Sequence, residues 1–96
     1  DQVWGQAVVL DSGGGVDVQK LEILPGKAIE ETSGADEVLH WLVLAGSVDF
    51  ERSDEHARLE AGDSADLAAG TAYRLHNREA APARLLEVGQ RRRHRR

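Results

Sequence analysis

Few side chains in this chain could do chemistry, and they are scattered. There is one tyrosine, Tyr73, and there are four histidines, His40, His56, His76 and His94. There is no cysteine, so thiolate chemistry and disulfides are excluded. A phenol can act as acid or base, or donate a hydrogen bond to a bound ligand. If residues 72–77 are extended, Tyr73, Leu75 and Asn77 share one face while Arg74 and His76 share the other. The same alternation in residues 38–45 sets Leu39, Trp41 and Val43 against His40, Leu42 and Leu44. A metal shared by His40 and His76 would need their strands to be neighbours, which nothing in the sequence requires. His56 and His94 fall in charged segments and suggest no site. Glu30, Glu31, Asp36 and Glu37 form an acidic cluster that suits either a weakly held hard cation or a solvated rim. Trp41 reads as a core residue or as a ligand platform. Asn77 reads as a strand-end residue bonding to backbone.

These residues must be carried by short strands. Strands are expected at residues 3–10, 16–24, 27–32, 38–45, 47–51, 57–60, 64–68, 72–77 and 83–88, separated by Gly, Pro, Asp and Ser turns. In the second strand Val16 and Val18 have one parity and Leu21 and Ile23 the other, and a bulge near Gln19-Lys20 reconciles them. Residues 38–45 are nearly all apolar, as in a strand buried on both faces. Ser33 and Asp36 could instead cap a helix running to Leu44. Gly46 and the β-rich run after it favour the strand. Gly13-Gly14-Gly15 makes a flexible turn, and the helix start that a phosphate cradle needs does not follow it.

The glycines form a frame. Gly26, Thr32, Gly34, Leu39 and Gly46 stand at one set of intervals, and Gly62, Ala68, Gly70, Tyr73 and Asn77 at another. This spacing resembles the paired motifs of the cupin superfamily. There the first half carries a His-x-His pair and a Glu between its glycines, and the second carries a further His before an Asn. Val3-Trp4-Gly5, Leu24-Pro25-Gly26, His40-Trp41-Leu42-Val43 and Leu86-Glu87-Val88 resemble the type II mannose-6-phosphate isomerase domain. That domain also ends the bifunctional mannose-1-phosphate guanylyltransferases. The resemblance covers roughly residues 3–89 and implies an all-β cupin-type double-stranded β-helix, a jelly-roll barrel. It places Thr32, Gly34, Leu39 and Tyr73 where the family keeps its metal ligands. Sliding the first pair by two residues recovers one carboxylate, Asp36. A metal site needs at least three good donors, so no metal and no cofactor are expected.

The resemblance also turns Tyr73, Leu75 and Asn77, with Leu39, Trp41 and Val43, into the barrel, leaving no histidine inside. The expected ligand-binding residues are Thr32, Asp36, Trp41, Tyr73, Leu75 and Asn77. Tyr73 either serves a ligand or fills the volume left by the metal and its waters. Outward Leu42 and Leu44 would be costly in water and suggest a homodimer, the common cupin arrangement.

The 96 residues make one small domain, with 41% hydrophobic residues and four aromatics. The domain is expected at residues 1–90, with a basic, disordered tail at 91–96. That tail contributes five of the 12 basic residues, so the body carries seven against 17 acidic, a net of 7 − 17 = −10. Such a body repels phosphates, and nucleic acid is expected, if at all, only at the Arg tail. No run is apolar enough to span a membrane, and Asp1-Gln2-Val3-Trp4 does not read as a secretory leader. With no cysteine, a cytoplasmic setting is expected. The expected function is a degenerate, metal-free cupin holding a small ligand, with a sugar or sugar phosphate as the candidate class. The alternatives are an isomerase-like sugar-modifying enzyme and a structural or partner-binding domain.

Overall fold

Glu37–Ala45 is extended, so the apolar run containing Trp41 is a strand and not a helix. Ser33, the candidate helix cap, instead ties two loops together. Its hydroxyl donates to the Ala68 carbonyl at 2.9 Å and accepts from the Thr71 amide at 2.9 Å. The computed structural model describes residues 2–91. Its nine strands are β1 (Gly5–Gly13), β2 (Val16–Ile23), β3 (Ala28–Thr32), β4 (Glu37–Ala45), β5 (Ser47–Arg52), β6 (Glu55–Glu60), β7 (Ser64–Leu67), β8 (Ala72–His76) and β9 (Ala83–Arg91). The expected strands match these to within a few residues at their ends.

The strands form two antiparallel sheets, β1-β2-β9-β4-β7 and β3-β8-β5-β6. Every sheet neighbour presents alternate side chains to the space between the sheets. That space is filled by Leu21, Ile23, Ile29, Trp41, Val43, Val48, Phe50, Leu67, Leu75 and Leu85, all at most 4% exposed. Trp41 packs edge-on to Phe50, with ring centroids 5.3 Å apart, and lies 5.0 Å from the Tyr73 ring. With four aromatics in the whole chain, this trio anchors the core.

Two glycines are required by contact. A Cβ on Gly5 would lie 1.9 Å from the Glu22 carbonyl oxygen, so the Trp4-Gly5 start can lie against β2 only with glycine there. Gly46 turns the chain between β4 and β5 at φ 78°, and a Cβ would stand 3.0 Å from the Pro82 carbonyl oxygen.

Two expectations are corrected. No bulge occurs near Gln19-Lys20, since β2 pairs with β9 without a break from Val16↔Gln90 to Ile23↔Ala83. The irregularity lies on β1, between Val9 and Asp11. Asp17 and Gln19 therefore share the inner face of β2 with Leu21 and Ile23, while Val16 and Val18 face outward. The second correction concerns the C-terminal boundary. Arg91 continues β9 opposite Glu37, and its amide donates to the Gly15 carbonyl at 2.8 Å. The rest of the basic run, residues 92–96, lies outside the described residues.

Candidate functional site

At one end of the barrel the two sheets part around a cavity of about 310 Å³. Its lining includes Asp17 and Gln19 of β2, Glu31 and Thr32 of β3, Ser33, Glu37 and Leu39 of β4, Tyr73 of β8, and Glu87 and Gly89 of β9. A second hollow of about 180 Å³ lies beneath Trp4 and Ala7 and shares Gln19, Glu31, Tyr73 and Glu87 with the first. Those four side chains form the wall common to both.

Glu87 is the centre of the polar network. It is 9% exposed, and its carboxylate accepts from the Gln19 amide at 2.6 Å and from the Trp41 indole at 2.7 Å. Burial pushes its pKa above the ordinary carboxyl value, and the charges of Glu31 and Glu37 push the same way. The two hydrogen bonds act in the opposite sense by favouring the charged form. Tyr73 is 7% exposed and its hydroxyl reaches Glu31 Oε1 at 3.4 Å. Burial, then the carboxylates of Glu87, Glu31 and Glu37, raise its pKa well above the ordinary phenol value. At neutral pH the phenol therefore keeps its proton. It can donate a hydrogen bond, and it does not serve as a phenolate base.

Glu37 reaches the cavity through a glycine. Gly89 does not have a left-handed φ, yet a Cβ there would stand 2.7 Å from Glu37 Oε2. The absence of a side chain on β9 there leaves room for the Glu37 carboxylate beside Leu39. Four carboxylates, from Asp17, Glu31, Glu37 and Glu87, thus line a cavity that no Lys, Arg or His lines among the described residues. Arg91 reaches Asp17 at 3.3 Å from the rim. Arg52 is in register with Tyr73 but is engaged by Glu55 at 3.2 Å and by the Asp66 carbonyl. A phosphate held about 4 Å from one such carboxylate would be opposed by roughly 4 kcal/mol at an effective dielectric near 20.

The expected site residues separate into three groups. Tyr73 lines the cavity. Thr32 stands at its rim but faces outward opposite Ala72, because the inward residues of β3 are Ile29 and Glu31, opposite Leu75 and Tyr73. Asp36 is exposed in the loop before β4 and lies outside the cavity lining. Trp41 and Leu75 are core, at 1% and 0% exposure. Asn77 is fully buried and committed to backbone. Its amide donates to the Ile23 and Ala81 carbonyls, and its side-chain oxygen accepts from the Glu79 amide, all at 2.9 Å. His40 faces outward and bonds Asp66 at 2.7 Å. His76 lies on the outer face between Ala28 and Asp49.

Sequence reasoning missed Gln19 and Glu87, and it left Glu31 and Glu37 as a weak cation site or a solvated rim. The alternation Ala83, Leu85, Glu87, Gly89 against Arg84, Leu86, Val88 carried the signal for Glu87. It was masked because both faces of β9 carry leucine.

The positions that resemble a metal site do not fit a metal. Gly34 has no side-chain donor, Leu39 is apolar, Thr32 faces outward and Tyr73 holds its proton. Among the described residues no group of three His, Asp or Glu side chains is placed to hold an ion.

Comparison with known proteins decides the family. The mannose-6-phosphate isomerase C-terminal family matches residues 2–92. The chain belongs to that family. It is 28% identical over 85 residues to the xanthan biosynthesis protein XanB of Xanthomonas campestris pv. campestris (strain B100), covering 88% of this chain and 18% of that protein. It is 25% identical to a mannose-1-phosphate guanylyltransferase of Salmonella muenchen over the same shares. The chain thus spans less than a fifth of the length of these relatives. Among solved structures, the TT1209 protein of Thermus thermophilus superposes with TM-score 0.84 at 25% identity, covering 93% of this chain and 85% of that one. A cupin-superfamily sugar phosphate isomerase from Silicibacter pomeroyi superposes with TM-score 0.74 at 23% identity, covering 82% and 52%. The cupin domain of an Enterobacter cloacae transcriptional regulator gives 0.87 at 16% identity over 94% and 99%. The double-stranded β-helix read from the glycine frame is the fold of this family member. Among the described residues no helix is long and apolar enough to cross a membrane.

Proposed function

We propose that this chain is a degenerate, metal-free cupin domain that binds a small, sugar-like ligand in the barrel cavity. One observation carries the reading. The barrel keeps an open polar cavity of about 310 Å³ with Tyr73 on its wall, while the family's ligand positions hold Thr32, Gly34, Leu39 and Tyr73. A cavity of this size with a few polar groups suits a small molecule. The test has two arms. Metal analysis of purified protein finds no stoichiometric zinc, iron or manganese, and a thermal-shift screen of monosaccharides finds stabilisation by a ligand that binds the folded state. An equimolar tightly held metal sinks the metal-free half. A screen of monosaccharides, sugar phosphates and nucleotide sugars without a single shift sinks the binding half.

The second reading, a sugar-modifying enzyme that replaced its metal, is favoured by the protonated Tyr73 phenol beside Glu31, an acid next to a carboxylate. Turnover of mannose 6-phosphate above a Tyr73→Phe control would select it. The proposal also holds a homodimer in a cytoplasmic setting. Val8, Leu10, Leu42 and Leu44 are 37–54% exposed on the outer side of the larger sheet, with Val18, Val88 and Leu86 among them. These exposed apolar side chains, although Lys20 interrupts them, favour a second subunit over water.

A further inference from the structure

We infer that the cavity selects a ligand bearing a positive charge, an amine on a small hydroxylated skeleton, and rejects phosphorylated sugars. The inference rests on the barrel-binding reading above and narrows the class of ligand. The cavity wall accepts hydrogen bonds far more than it donates them. Glu31, Glu37 and Glu87 offer carboxylate oxygens from three strands. Of the lining donors, the Gln19 amide is engaged by Glu87, the Ser33 hydroxyl by the Ala68 carbonyl and the Ser12 hydroxyl by Asp17, while the Tyr73 hydroxyl makes a long contact to Glu31. A phosphate or carboxylate ligand would find acceptors facing acceptors in a partly desolvated site. An ammonium group supplies three donors and a compensating charge.

Two further contacts shape the cavity wall. Gly89 leaves room for the Glu37 carboxylate, since a Cβ there would stand 2.7 Å from Glu37 Oε2. Tyr73 is nine-tenths buried, yet its hydroxyl has only a long 3.4 Å contact to Glu31. A ligand hydroxyl could satisfy it better. Trp41 is also unusual, since its indole proton is spent on Glu87 and so reports on that carboxylate.

The experiment titrates the full chain with glucosamine, glucose and glucose 6-phosphate while following the two indole N–H resonances by NMR. Glucosamine should move the Trp41 indole at concentrations about tenfold lower than glucose, and glucose 6-phosphate should not move it. Glu37→Gln should bring the glucosamine and glucose midpoints together. Equal or tighter binding of glucose 6-phosphate overturns the charge selection while keeping the barrel as the site. So do equal wild-type midpoints for glucosamine and glucose, an unchanged preference in Glu37→Gln, or saturation by equimolar zinc in place of the amine. An indole unmoved by every probe removes the barrel-binding reading itself.

Discussion

The same strands build two opposite environments along the barrel. In its deep half the inner face is apolar and the outer face of β2 carries charge. Leu21, Ile23, Val43 and Leu85 point in, while Lys20, Glu22 and Arg84 point out. At the mouth the pattern reverses. Asp17, Gln19, Glu37 and Glu87 point in, while Val16, Val18, Val38 and Val88 lie on the outer side. β2 and β9 stay in unbroken register through the switch, although β1 bulges opposite it between Val9 and Asp11. The deep half therefore supplies stability by burying area, and the mouth gives up burial for a polar, solvent-reaching cavity. Inverted polarity within one strand pair marks the site more clearly than any single residue does.

The comparison is broken most severely at the boundary between the halves. Trp41 is 1% exposed, contacts Phe50 and Tyr73, and donates to Glu87. Trp41→Ala leaves a large cavity and takes one of two donors from a buried carboxylate, and should cost about 4 kcal/mol or more. Urea denaturation measures this. A loss near 1 kcal/mol would mean that the two halves are not joined through this side chain.

Asn77→Ala tests the deep half on its polar side. A buried carbonyl, a part-buried carbonyl and one amide lose their partner, which should cost about 2 kcal/mol. A ligand-binding role would instead show as lost affinity at unchanged stability. Finding that pattern would return Asn77 to the site.

Legibility in the sequence divides along the same line. The strands, the barrel and the family were readable because turn residues and glycine intervals are local and specific. The deep core was readable because Leu39, Trp41, Val43, Tyr73 and Leu75 alternate as strand residues should. The mouth was not. The reading that placed Val16 and Val18 inside required a bulge near Gln19-Lys20, because it assumed that apolar residues face inward. The structure has the polar residues inside and the bulge on β1. Glu87 was hidden for the same reason. Thr32 was assigned by interval, but pairing with β8 fixes Glu31 as the inward neighbour of Tyr73. Intervals locate a motif along the chain, and only the pairing register decides which face it serves.

The outer faces offer the next test. Leu42→Asp places a charge on the row Leu42, Leu86, Lys20, Val8 that crosses four strands of the larger sheet. At 37% exposure Leu42 contributes little to the monomer's core, so the folded subunit should lose no more than about 1 kcal/mol. Light scattering should show a dimer for the parent chain and a monomer for the variant. A parent chain that is already monomeric ends the dimer reading.

Glu87→Gln probes the mouth through pH. The folded pKa of Glu87 lies above its ordinary value of 4.5. Between those two values the folded protein holds more protons than the unfolded chain, so stability falls as pH rises through that window and levels above it. The contribution is fully present below the ordinary value. Removing the charge should flatten this fall, and the variant should be at least as stable as the parent at neutral pH. Melting curves across the window check the sign. A parent whose stability rises there, with the rise lost in Glu87→Gln, would show that the Gln19 and Trp41 hydrogen bonds outweigh burial.

Tyr73→Phe should do least to the fold. The hydroxyl makes one long contact at 3.4 Å, and the ring keeps its packing on Trp41, so stability should change by less than about 1 kcal/mol. The hydroxyl belongs to the mouth and the ring to the deep half, which makes this substitution the finest cut between them. If the mouth is a binding site, affinity for its ligand falls while the melting curve stays put. If instead the melting curve drops and affinity holds, Tyr73 only fills space at the upper edge of the core. The inversion of polarity would then begin across the register at Glu31, the neighbour of Tyr73 on β3.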